Sequence, residues 1–183
     1  MTKQIGDLIY YQDKAYRMAS KLPVYGSDFE KYAIRFLMRS SHCWRGYEAQ
    51  WDVEGDKLYL VQVSGRAFVT DLVKYREEKR RLRTLLKQGM ITPKENGQML
   101  KTLRTGLTEQ RDIDLPFLFN TSDPVHAVWI DGTIYIPNGH IIEYINRGYD
   151  FEKDISLTFS KGILVEAKTQ IERFFLPEPS PPD

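Results

Sequence analysis

In four stretches of the chain, apolar or aromatic residues alternate with polar ones on either side of a short polar turn. They are Leu8 to Met18 around Gln12-Asp13-Lys14, Tyr47 to Val63 around Glu54-Gly55-Asp56, Val125 to Ile136 around Asp131-Gly132, and Ile155 to Ala167 around Ser160-Lys161-Gly162. Period-two alternation predicts strands, because successive side chains of a strand point to opposite faces, and glycine supplies the positive φ that a tight turn needs. Four hairpins give about eight strands in a mainly antiparallel sheet. The second and third share an alanine and a tryptophan before the turn (Ala49, Trp51; Ala127, Trp129) and an aliphatic-tyrosine-aliphatic triplet after it (Leu58-Tyr59-Leu60; Ile134-Tyr135-Ile136). An old duplication and convergence on a stable aromatic hairpin both account for the likeness.

The period changes between these hairpins. Residues 71–112 predict two helices, the first from about Asp71 to Gln88 with Leu72, Val73, Tyr75, Leu82, Leu85 and Leu86 as its apolar stripe. Gly89 stands where a helix-ending glycine belongs; Thr92, Pro93 and Glu95 then supply an N-cap, a first-turn proline and the partner of a capping box. The second helix runs to about Arg104 with Met99, Leu100 and Leu103, and Gly97 weakens it. A shorter helix, capped by Ser27 or Asp28, is predicted over Phe29, Tyr32, Ala33, Phe36 and Leu37. Residues 176–183 hold four prolines and predict an extended, disordered tail. The expected fold class is therefore α+β: a single domain over 1–175, a mainly antiparallel sheet, and a helical hairpin inserted at 71–112.

Charge sets that insertion apart. It carries eleven Lys/Arg and six Asp/Glu, a net of +5, while the remaining residues carry fifteen and nineteen, a net of −4. The whole chain is only +1, so a whole-molecule argument for nucleic acid or anionic lipid fails. A hydrophobic content of 42% and an aromatic content of 13% suit a packed core. The lone Cys43 excludes a disulfide within the chain and any multi-cysteine zinc ribbon. The first residues have no apolar segment of a secretory signal, and no apolar run approaches the ~20 residues that span a bilayer. A cytoplasmic protein without membrane contact is expected.

The stretch Ser40-Ser41-His42-Cys43-Trp44-Arg45-Gly46-Tyr47, followed by Trp51 and Lys57-Leu58-Tyr59-Leu60, resembles a group of small bacterial proteins with a Cys-Trp-Arg-Gly-Tyr stretch before a β-hairpin. Trp129, Ile134-Tyr135-Ile136-Pro137 and Gly148-Tyr149 resemble that group's second half, so the likeness spans most of the chain outside 71–112. It implies a shared fold and a bacterial or phage origin, and it brings no mechanism. Residues 82–104, from Leu82 to Arg104, are similar to the SHOCT module, a short helical hairpin, but depart from it at Lys94, Asn96 and Gly97. That resemblance implies an oligomerisation or docking element.

Candidate chemistry is sparse. Cys43 as a nucleophile needs a base, and adjacent residues of an extended segment point to opposite faces, so His42 is badly placed; the base would be His126 or His140. A small thiol buried under Trp44 and Tyr47 is the plainer reading. The spacing of His42, Cys43, His126 and His140 lacks the short pairs of a zinc site, and no metal or cofactor is expected. Arg45, between Trp44 and Tyr47, is either a guanidinium offered to a carboxylate or phosphate or, more plainly, one stacked on a ring and bonded to carbonyls. Arg76, Arg80, Arg83 and Lys87 follow i, i+4, i+7, i+11 spacing and line one helix face. A solvated face explains such a stripe, and so does an acidic protein partner or a phosphate backbone. The chain lacks a phosphate loop, a dinucleotide fingerprint, a nucleophile elbow and a His-Glu-x-x-His zinc motif. The expected function is thus a non-catalytic protein-binding module using Arg76, Arg80, Arg83, Lys87, Arg45 and Trp44, with an immunity or antitoxin role as one concrete form. Nucleic-acid binding through residues 74–87 is the alternative, and an enzyme with Cys43 as nucleophile a further one.

Overall fold

A computed structural model describes residues 6–18, 21–26, 32–145 and 148–170, the side chains of 140–152 and 170 excepted. The described chain is α+β, with one mixed, nearly barrel-shaped sheet of ten strands and three helices. The strands are β1 (Leu8–Tyr11), β2 (Lys14–Arg17), β3 (Tyr32–Phe36), β4 (Tyr47–Glu54), β5 (Lys57–Asp71), β6 (Thr108–Ile113), β7 (Val125–His126), β8 (Gly132–Ile145), β9 (Gly148–Ser160) and β10 (Ile163–Gln170). The helices are α1 (Leu72–Lys87), α2 (Pro93–Gly106) and α3 (Leu115–Phe119). Along the sheet the order is β2-β1-β4-β5-β10-β9-β8, and β2 comes back alongside β8.

The organising element is β5. Its first half pairs with β4 through a turn at Gly55, and its second half is flanked by β3 on one edge and β6 on the other. Gln50 faces Gln62 but Trp51 faces Leu60, so Val61 is an extra residue, a β-bulge. The bulge resets the inward-facing set: Leu58 and Leu60 before it, then Val63, Ala67 and Val69 after it, are all buried. These join Ile9, Trp51, Ile113, Ile136, Leu157 and Phe159 in one core. Burying each of the larger side chains is worth about 1.5–3 kcal/mol.

Three of the four predicted hairpins form: β1–β2, β4–β5 and β9–β10. The third does not. Val125 and His126 pair with β5, opposite Leu60 and Tyr59, and the chain then turns, with Val128 N–H donating to His126 and Ile130 N–H to Ala127. Trp129 is drawn out of any cross-strand role: its Nε1 donates to the Pro23 carbonyl at 2.8 Å and its ring stacks on Phe119 at 5.2 Å. Ile134 and Ile136 belong instead to β8, which pairs with β9 in a long hairpin that the alternation pattern does not predict.

Two further expectations are corrected. Tyr32, Ala33 and Phe36 lie in a strand and not a helix, since Tyr32, Ile34 and Phe36 share the half-buried side of β3 against β5 and the period is two. The proposed caps Ser27 and Asp28 lie outside the described residues, as do the predicted 176–183 tail and the His140 side chain. Residues 108–112 of the expected helical insertion are strand: β6 continues from α2 and pairs with β5 from Gly65 to Thr70. The insertion is thus a helical hairpin over 72–106 set on a β-ribbon. The sheet is also not wholly antiparallel, because β1 runs parallel to β4, Ile9 opposite Trp51.

Candidate functional site

Two regions gather the residues singled out by sequence. The first is the Cys43 to Tyr47 turn that leads into β4. Cys43 is buried and its Sγ donates to the Tyr47 carbonyl at 3.3 Å. His42 is exposed and its Nδ1 lies beside the Ser41 hydroxyl. Gly46 has φ +79, and a Cβ there would sit 2.3 Å from the Leu37 carbonyl oxygen, so the close approach this glycine permits is to its own chain.

Arg45 turns inward. Its side chain is 12% exposed, and Nη1 donates to Asp7 Oδ2 at 2.9 Å while Nη2 donates to Asp7 Oδ1. Its Nε donates to the Tyr47 carbonyl at 2.8 Å, and the guanidinium lies over the Tyr47 ring at 4.9 Å. The Asp7 side chain is wholly buried and also accepts the Ala49 N–H at 2.8 Å. Loss of water pushes the Asp7 carboxyl above its ordinary range, and the Arg45 charge and these hydrogen bonds oppose the shift without cancelling it. The Trp51 indole also favours the anion, although its buried Nε1 is within hydrogen-bond geometry of no partner among the described residues. Burial likewise raises the Tyr47 hydroxyl, which donates to the Leu22 carbonyl at 3.1 Å. The motif therefore ties the start of β1 to β4 from within, and Trp44, 47% exposed, is its outward-facing member.

The second region is the arm. Asp71 caps α1 by accepting the Lys74 N–H at 3.0 Å, and that bond holds its carboxyl below the usual range. Thr92 and Glu95 make the predicted capping box, and the Thr92 N–H at 2.7 Å lowers the Glu95 carboxyl in the same way. Neither helix contains a buried residue. The cations of α1 divide into two groups. Lys74 pairs with Asp71, Arg81 with Glu78, and Lys79 lies over the Tyr75 ring. Arg76, Arg80, Arg83 and Lys87 are all exposed, and among the described residues none of them makes an ion pair. They span eleven residues, about 16 Å of helix.

The His126 ring, on β7, sits beside Tyr59 and the Gly162 carbonyl, while the buried Cys43 lies in the turn before β4 and the His140 side chain is outside the described residues. Among the described residues no group of three or more His, Cys, Asp or Glu is placed to hold a metal ion. Among them, too, no helix is long and apolar enough to cross a membrane.

A groove of about 730 Å³ carries no signal in the local sequence. It is lined by residues 37–39, 62–66, 110 and 112–114, segments brought together by the pairing of β3 and β6 with β5. No protein-family model, curated protein or solved structure matches the chain.

Proposed function

We propose that the chain is a non-catalytic, cytoplasmic protein-binding module whose basic arm contacts an acidic partner surface. One observation carries this reading: of the seven cations of α1, Lys74 and Arg81 pair with carboxylates and Lys79 lies over the Tyr75 ring, while the remaining four, Arg76, Arg80, Arg83 and Lys87, share one exposed face with no ion pair among the described residues. A twice-capped helical hairpin that buries no residue adds little to the core, so its outer surface is what it contributes. Occlusion of a bacterial toxin by such an arm is the concrete form we favour, in keeping with the resemblance to small bacterial proteins with the Cys-Trp-Arg-Gly-Tyr stretch. Within that stretch Arg45 is turned inward to Asp7, and Trp44 offers the partner an exposed ring.

The test is an affinity capture from nuclease-treated host lysate, comparing the full chain with a variant carrying R76E, R80E, R83E and K87E. An acidic protein retained by the first and lost from the second is the expected result. From a parallel lysate without nuclease, retention of nucleic acid in place of protein, abolished by the same variant and falling steeply with salt, would turn the reading to a phosphate backbone.

A further inference from the structure

Beyond Leu164, strand β10 is paired on one edge only among the described residues. It follows β9 from Ile163 to Gln170 but meets β5 at a single register position, Ile163 opposite Lys57, where the Leu164 N–H also donates to the Asp56 carbonyl at 2.6 Å. Lys57 is the first residue of β5, so β10 runs on past its neighbour and 165–170 have no strand beside them on that edge. Val165 to Thr169 are all exposed. Register fixes which main-chain groups are open. Leu164 faces Phe159 and Ala167 faces Leu157, two residues apart on β9 and therefore turned the same way. The Leu164 N–H points away from β9, so the Ala167 N–H and C=O point away as well. The Ser156 hydroxyl, donating from β9 to the Lys168 carbonyl, agrees with that alternation.

An open edge is a template for another strand, and proteins block such edges with bulges and lysines. Neither device closes this one. The bulge at Val165 lies at its start, and 166–170 keep a regular register with β9. Lys168 is answered on its own strand by Glu166 at 2.7 Å, and both side chains are more than half exposed. The order Glu166-Ala167-Lys168 is also self-complementary. When two such strands run antiparallel about a two-fold axis at Ala167, each Glu166 stands opposite the partner's Lys168 on one face. Because the Ala167 main chain turns outward, the two alanines exchange N–H···O=C bonds. The charged residues then fall at the closer, non-hydrogen-bonded positions, about 4.5 Å apart at Cα. Each carboxylate gains an ammonium across the strands besides the one along its own, and like charges meet only on the diagonals. A parallel pairing in register would set like against like.

We propose that β10 pairs with the β10 of a second copy of this chain, antiparallel and centred on Ala167, to form a two-fold dimer through the open sheet edge. This surface is separate from the arm and does not depend on what the arm binds.

Analytical ultracentrifugation of the full chain from about 1 µM to about 1 mM, the span of moderate to weak affinities, measures the dimer. E166K leaves lysine at both charged positions and K168E leaves glutamate at both, so each alone is expected to self-associate about tenfold or more weakly than the parent. Mixed in equal amounts, the two variants are expected to pair with each other, because every lysine then meets a glutamate. The exchanged variant E166K/K168E is expected to dimerise as the parent does. A167P removes an N–H that β9 does not use and is expected to abolish the dimer. Unchanged urea midpoints identify the variants that fold, and three separate substitutions guard against one failing to. The R76E/R80E/R83E/K87E variant is expected to dimerise like the parent. A chain that stays monomeric throughout that range overturns the proposal, as does a dimer left unchanged by E166K, K168E and A167P. A dimer lost only in the arm variant also overturns it and moves self-association to the arm.

Discussion

The β-body and the helical arm are built on opposite plans. In the body, Trp51, Leu58, Leu60, Ile113 and Phe159 are almost wholly removed from water, and even a carboxylate, Asp7, is buried with its cation. In the arm no residue of α1 or α2 is buried, and order comes from local devices: the Asp71 cap, the capping box and the Gly89 turn. Stability drawn from burial is large and cooperative, whereas caps contribute about 1 kcal/mol each and act on one helix. The difference teaches that the two regions answer to different substitutions.

Substitutions in the body have the largest effect. Trp51→Ala should lower the unfolding free energy by about 3–5 kcal/mol, measured by urea titration, because a large ring leaves a cavity in the core. Asp7→Ala should cost a comparable 3–5 kcal/mol, since it strands the Arg45 charge in the interior. A double change of Asp7 and Arg45 to apolar residues of similar size should recover much of that loss. If Asp7→Ala is neutral, the pair does not tie β1 to β4.

Next comes the arm. Thr92→Ala should remove about 1 kcal/mol from α2 and lower the helical ellipticity while leaving the urea midpoint of the body in place. Acid should separate the regions further. Asp71 and Glu95 have folded-state values below their ordinary ones, so the stability they give is present above the unfolded value and lost as pH falls through the folded one. Asp7 has the opposite sign: its folded-state value is raised, so its contribution is kept at low pH and lost as pH rises through that value. Helical ellipticity should therefore fall with acid before the tryptophan signal of the core does. Simultaneous loss of both would merge the two regions into one cooperative unit. The smallest effect is expected for Arg83→Ala, within about 0.5 kcal/mol of the parent in stability, as for most exposed positions.

The sequence told more about the arm than about the sheet, for the same physical reason. Helix caps and the apolar stripe are local, so Thr92, Glu95, Gly89 and the four-cation face could be read directly. Strands depend on distant partners. The run Thr108 to Ile113 has no apolar alternation, because β6 lies at an edge with Glu109, Gln110, Arg111 and Asp112 exposed; only its pairing with β5 makes it a strand. Tyr32 to Phe36 mimics a helix through spacing that suits either period. Ala127 to Trp129 mimics a strand, and its tertiary bonds to Leu58 and Pro23 override that pattern. From sequence Arg45 reads either as a guanidinium offered to a partner or as one stacked on a ring and bonded to carbonyls; it bonds the Tyr47 carbonyl and lies over the Tyr47 ring, but its partner Asp7 lies 38 residues away and carries no local signal. The groove was invisible because it needs three separated segments.

The backbone supplies the most direct test of the division between body and arm. Asp71 N–H bonds the Leu107 carbonyl, so the two ends of the arm meet and a short turn can replace 72–106. The urea unfolding of that shortened chain, followed through the tryptophans at 44, 51 and 129, all in the body, should give the parent's midpoint and nearly its slope. A fall of more than about 2 kcal/mol, or a chain that does not fold, would show that the arm helps build the body and would contradict the account.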